Sequence, residues 1–131
     1  MLFHTFASQD ERREFGGSDF LELQRCELKR GTMLKEIVSV DIIDHWKNDS
    51  LYIYGDDMDE FYAIYGEIFR DGYYANGESG VVDCCGINYY TLEQTMLIVE
   101  KLKQEKPKDF QVLLDWLSDA EEYNGIYLLG L

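Results

Sequence analysis

Basic residues are scarce in this chain. Its 131 residues carry 12 Lys and Arg against 26 Asp and Glu, a formal net charge of −14. That balance excludes nucleic acid as a direct partner, because affinity for a phosphate backbone comes from cationic side chains that displace counterions. Anionic membrane surfaces are excluded by the same sign. Cysteine is also sparse: Cys26, Cys84 and Cys85 are odd in number and two are adjacent, so the chain reads as reduced and without a disulfide framework. No apolar run approaches the roughly 18 residues of a membrane span. Met1 to Phe6 is too short for a signal core and runs into Asp10-Glu-Arg-Arg13, so the expected location is the cytoplasm. With one proline and no linker rich in Pro, Gly and Ser, residues 1–131 read as a single domain.

Chemical motifs are missing too. His4 and His45 are the only histidines, and no CxxC or HxxxH pair could begin a metal site. Gly77-Glu-Ser-Gly80 places Val81 where a nucleophile elbow needs its second glycine. No Gly-Lys-Ser or Gly-Lys-Thr marks a phosphate loop. The run Asp56-Asp57-Met58-Asp59-Glu60 lacks the central glycine and distal glutamate of a calcium loop. The expectation is no metal, no cofactor and no catalytic residues. A small hydrolase stays open as an alternative, since carboxylate pairs can converge from distant segments.

What is present is aromatic and acidic. Ten Tyr, seven Phe and two Trp, within a chain that is 46% hydrophobic, oppose disorder despite the charge. Ser8 and Glu11 have capping-box spacing for a short helix ended by Gly16-Gly17. Leu21 and Leu23 alternate with polar residues, and Cys26 and Leu28 shift the phase, which reads as a strand over 20–28 with a bulge. Residues 36–43 alternate Val38, Val40 and Ile42 with polar positions and predict a strand. A turn at Asn48-Asp49 would join it as a hairpin to Leu51-Tyr-Ile-Tyr54, with Tyr52 and Tyr54 facing away from Leu51 and Ile53.

From Met58 the period lengthens to 3.6, with Phe61, Tyr65 and Ile68 on one stripe, predicting a helix over 57–70. A glycine-rich loop follows over 70–80, then a doubly covered central strand over 81–90. On that strand Cys84 and Cys85 would point to opposite faces as two small buried hydrophobes. Thr91 and Gln94 cap a second helix that stops before Pro107. Pro107 opens a third, with Phe110, Leu113, Leu114 and Leu117 inward, closed by Asn124-Gly125 ahead of a strand over 126–129. The sum is an α+β fold, a mainly antiparallel sheet of about five strands with three helices packed on it.

The candidate binding residues are carboxylates and tyrosines. Asp56, Asp57, Asp59 and Glu60 start a helix, where the dipole already favours them. Asp115, Asp119 and Glu122 are spaced i, i+4 and i+7, with Glu121 beside them, at a helix end that disfavours anions. Tyr73, Tyr74 and Tyr123 lie in or near loops, suited to anchor an interface. Trp46 and the two sheet tyrosines could equally be covered within the fold. Such a charge suits a basic protein partner, or it serves solubility alone.

The strand-to-helix run Leu51-Tyr-Ile-Tyr-Gly-Asp-Asp-Met-Asp-Glu-Phe61, with the chain's size, charge and element order, resembles the immunity proteins of bacterial contact-dependent growth inhibition. That resemblance implies a protein that is not an enzyme. It would bind the basic ribonuclease domain of a cognate toxin as one half of a heterodimer, blocking the active site or a nearby surface. A regulatory or adaptor module would share the same composition.

Overall fold

The computed structural model describes residues 1–44 and 46–130. Six antiparallel strands form one sheet in the order β2-β1-β6-β5-β3-β4. They are β1 (Phe20–Arg25), β2 (Leu51–Tyr54), β3 (Gly72–Tyr73), β4 (Ser79–Gly80), β5 (Ile87–Tyr90) and β6 (Ile126–Leu129). Five α-helices accompany them: α1 (Gln9–Gly16), α2 (Leu34–Ile37), α3 (Met58–Tyr65), α4 (Leu92–Glu105) and α5 (Phe110–Trp116). The class is the expected α+β, with one more strand and two more helices than the sequence pattern indicates.

Register assigns the two faces. Leu21 pairs with Ile53, and Leu23 lies between Leu51 and Leu128, so these side chains share one face. Helices α3, α4 and α5 close over it with Phe61, Tyr65, Ile98, Leu102, Leu113 and Trp116 in one buried cluster. The other face carries Phe20, Tyr52, Tyr89 and Tyr127, and it is covered in two patches. Phe6 and Trp46 pack over Phe20 and Tyr52, while Ile37 and Val38 pack over Tyr89 and Tyr127. A sheet buried on both sides explains why β1 and β5 bury their polar residues Glu22, Gln24 and Asn88 along with the apolar ones.

The hairpin of residues 36–43 with 51–54 does not form. Leu34–Ile37 is a helical turn and Val40–Ile42 a 3₁₀ turn, with Val40 68% and Ile42 45% exposed. The adjacent pair Ile37 and Val38 does the burying, which alternation does not describe. The place that strand would have taken, the free edge of β2, receives the N-terminus: His4 and Tyr52 exchange backbone hydrogen bonds of 2.8 and 2.9 Å. Four further corrections concern boundaries. β1 ends at Arg25 without a bulge, and the phase shift marks that end. Strand β5 takes only the last four of the ten residues read as one strand, and the preceding loop contributes the short pair β3 and β4. Pro107 precedes α5 instead of opening it, since Asp109 occupies the N-cap in a left-handed conformation. The helix over 57–70 is an α-helix only to Tyr65, with a 3₁₀ turn at Gly55–Asp57 before it.

The two capping boxes differ in outcome. At α4, Thr91 Oγ1 accepts from Gln94 N at 3.1 Å and Gln94 Oε1 accepts from Thr91 N at 2.8 Å. At α1, Ser8 Oγ accepts from Glu11 N, but the Glu11 carboxylate reaches one residue further back, to Ala7 N. No described helix is long and apolar enough to cross a membrane.

Candidate functional site

The acidic stripe at the end of α5 is tied into the fold at Asp119, whereas Asp115, Glu121 and Glu122 are exposed and make no ion pair among the described residues. After Trp116 the helix tightens into a 3₁₀ segment, Leu117–Glu122, with Asp119 off helical geometry, so the α-helical row from Asp115 to Asp119 is interrupted. Asp119 Oδ1 accepts from Arg25 Nε at 3.3 Å. The same guanidinium donates to the carbonyls of Asp49 and Trp116 at 2.9 and 3.1 Å and lies 4.5 Å from the Trp116 ring. Asp115 accepts from Gln111 at 2.7 Å, and Arg30 donates to the Glu121 carbonyl. The apparent violation of helix electrostatics therefore has a structural compensation: cations from β1 and the loop after it reach the negative helix end.

The loop tyrosines are likewise committed to the fold. Tyr123 stacks under Arg25 at 5.5 Å, Tyr74 Oη donates to the Val81 carbonyl at 2.5 Å, and half-buried Tyr73 packs on the face beneath α2. Tyr52 is fully buried and Trp46 stacks on it at 5.2 Å, so those two cover each other.

A different corner keeps both aromatic surface and unpaired charge. Phe15, on the last turn of α1, is 51% exposed. Its ring meets His4 at 4.8 Å, Tyr54 at 5.5 Å and Phe6 at 5.6 Å, so it stands on a floor of partly buried aromatics. Two glycines shape its surroundings, one admitting an aromatic ring and the other a carboxylate. Gly16 permits the approach of Tyr54, since a Cβ there would lie 2.4 Å from the ring. Gly55 permits the approach of Asp19, whose Oδ1 would be 2.1 Å from such a Cβ, and Gly55 N donates to the Asp19 carbonyl at 2.8 Å.

Asp19 thus joins Asp56, Asp57 and Asp59 at the start of α3. Among the described residues none of these four makes an ion pair, whereas Glu60 binds Lys108 Nζ at 2.6 Å. Burial, followed by the N-terminal amine, lowers the His4 pKa against the opposing pull of Asp57, which favours a neutral imidazole here. Asp56, Asp57 and Asp59 were legible as candidates; Phe15, Asp19 and His4 were not. The capping box places Phe15 on α1, but nothing in the sequence says that the helix packs against the end of β2.

The other polar feature lies inside the sheet's second face. Arg12 is 8% exposed, with its guanidinium 5.4 to 5.9 Å from the rings of Phe20, Trp46 and Tyr52. Its Nε has no hydrogen-bond partner among the described residues, so the aromatic faces hold the cation. Glu22 Oε2 accepts from Ser50, Gln24 and Tyr52 at 2.7, 2.8 and 3.2 Å. Both residues border a cavity of about 560 Å³, walled by Phe20, Ile43, Ile87 and Leu129.

Burial raises the Glu22 pKa, opposed by those three hydrogen bonds and by Arg12. A carboxyl with a raised folded pKa binds its proton more tightly when folded, so stability falls as pH rises from the ordinary glutamate pKa to the folded one. Glu22→Gln is expected to flatten that fall, measured as Tm against pH. An unchanged slope would remove Glu22 as its source.

Cys84 and Cys85 do not sit on a strand. They occupy a turn before β5 with their sulfur atoms 3.6 Å apart, Cys84 half-buried and Cys85 exposed. Among family models, curated proteins and solved structures, no match to this chain is found.

Proposed function

We propose that this chain is an immunity protein of the contact-dependent growth inhibition type. It binds the basic ribonuclease domain of a toxin one-to-one through the corner formed by α1, the end of β2 and the start of α3. The observation that carries this reading is an exposed phenylalanine on an aromatic floor, rimmed by carboxylates without cationic neighbours in ion-pair range. A desolvated aromatic inside a charged rim is the arrangement of an interface hot spot. A chain at −14 also attracts a basic domain over long range. Carboxylates then occupy the cationic cleft that would otherwise hold phosphates. On this reading the protein acts in the cytoplasm, where the toxin acts, and needs no catalysis of its own.

The test is protection. Cells producing a ribonuclease toxin domain encoded beside this gene are expected to survive when the chain is co-produced. Phe15→Ala is expected to weaken protection and to speed dissociation about 30-fold, the equivalent of a 2 kcal/mol hot spot. Equal dissociation rates for wild type and a folded Phe15→Ala protein would exclude this corner. A regulatory module would bind a basic protein other than a toxin and give no protection.

A further inference from the structure

We infer that Asp83, Cys84 and Cys85 form a site for a thiophilic divalent cation of the zinc class, held within one chain. The ligand atoms of the three residues lie within 4.8 Å of one another. Two thiolates on a tetrahedral zinc at about 2.3 Å from each sulfur stand about 3.8 Å apart. The observed separation is 3.6 Å, so both sulfurs can reach one ion with almost no rearrangement. Two sulfurs and a carboxylate oxygen supply three ligands of a tetrahedral set, and the exposed Cys85 leaves the fourth position to water.

The loop is held in this shape before any ion arrives. Asn88, 1% exposed on β5, accepts from Asp83 N at 2.8 Å and donates to the Asp83 carbonyl at 2.8 Å and the Leu128 carbonyl at 3.0 Å. Asp83 Oδ1 accepts from Cys85 N at 2.9 Å. Its second oxygen lies over Gly86, where a Cβ would come within 2.6 Å. Gly130 N donates to the Gly86 carbonyl at 2.8 Å and ties the loop to the end of β6. A site whose backbone is already fixed loses little entropy on binding.

A second observation points the same way. The Tyr62 hydroxyl on α3 is buried and, among the described residues, faces no polar partner other than the Cys84 thiol. Coordination displaces each thiol proton to solvent, so two protons leave and Cys84 becomes a thiolate. A metal-bound thiolate gives that hydroxyl an acceptor, in the way outer hydrogen bonds support metal ligands.

The full chain, reduced with a phosphine, is titrated with cobalt(II) as the spectroscopic stand-in. The expected result is a thiolate-to-cobalt charge-transfer band that saturates at one ion per chain and is displaced by zinc. Cys84→Ser and Cys85→Ser are expected to lose the band, Asp83→Asn to weaken binding by about tenfold or more, and Cys26→Ser to keep it, with circular dichroism confirming that each is folded. The assignment is overturned by the absence of the band in wild type, by its survival in the Cys84 and Cys85 double variant, or by saturation at one ion per two chains.

Discussion

Changing Asp19, Asp56 and Asp59 together to lysine is expected to slow association with the basic nuclease domain about 100-fold at low salt. All three side chains are exposed and none makes an ion pair among the described residues, so their reversal breaks no ion pair and disturbs only the packing of Asp19 over Gly55. Their charge is instead available to steer a cationic partner. The effect should shrink as salt shortens the screening length to about 8 Å at physiological ionic strength. Folding should survive, because only Asp59, in the first turn of α3, favours the helix dipole by about 0.3–1 kcal/mol. Stopped-flow association at several salt concentrations reads the rate, and thermal melting confirms the fold. Lysines at Asp115, Glu121 and Glu122, which reverse the same number of exposed charges, serve as the comparison, and they should slow association less. If both sets of reversals change the rate alike, only net charge matters and the corner has no special role.

The largest expected effect on stability lies at Gly125, in the tight connection into β6. Its φ is +88°, and a Cβ there would come within 2.1 Å of the Tyr90 carbonyl oxygen and 3.1 Å of the Thr91 carbonyl carbon. Neither can retreat. Tyr90 belongs to β5, paired with β6 at Ile126, and Thr91 is the N-cap of α4. Gly125→Ala combines a left-handed alanine with an overpacked contact and should cost about 3 kcal/mol. In a domain of this size that lowers Tm by about 10 °C. Gly77→Ala is the control, since its φ is +83° but nothing lies within 4 Å of the added methyl. It should cost about 1 kcal/mol, the conformational penalty alone. Equal losses in the two variants would mean that the Tyr90 contact relaxes freely.

The parts of the fold that the sequence discloses are those specified by neighbours along the chain. The Thr91 and Gln94 cap, the left-handed Gly125 and the Leu51 to Tyr54 strand all depend on residues a few positions apart, although the third helix ends at Trp116 and not at the Asn124-Gly125 cap expected for it. The failures have long-range causes. Residues 36–43 have a strand's alternation, but the edge of β2 is taken at Tyr52 by His4, 48 positions earlier, so the segment folds back as turns. The stripe at Asp115, Asp119 and Glu122 reads as an unexplained accumulation of anions until Arg25 arrives from β1, 94 positions away. The candidate site divides in the same manner. Its carboxylates on α3 are visible as an acidic run, while Phe15 becomes conspicuous only because α1 lies on Tyr54 and leaves its ring half in solvent.

Hydrogen exchange of the chain, alone and in complex with the toxin's nuclease domain, tests the location of binding most directly. Slower exchange confined to Glu14–Asp19 and Tyr54–Glu60 is the predicted footprint. Protection centred on residues 115–123, with the Phe15 corner unchanged, would contradict it.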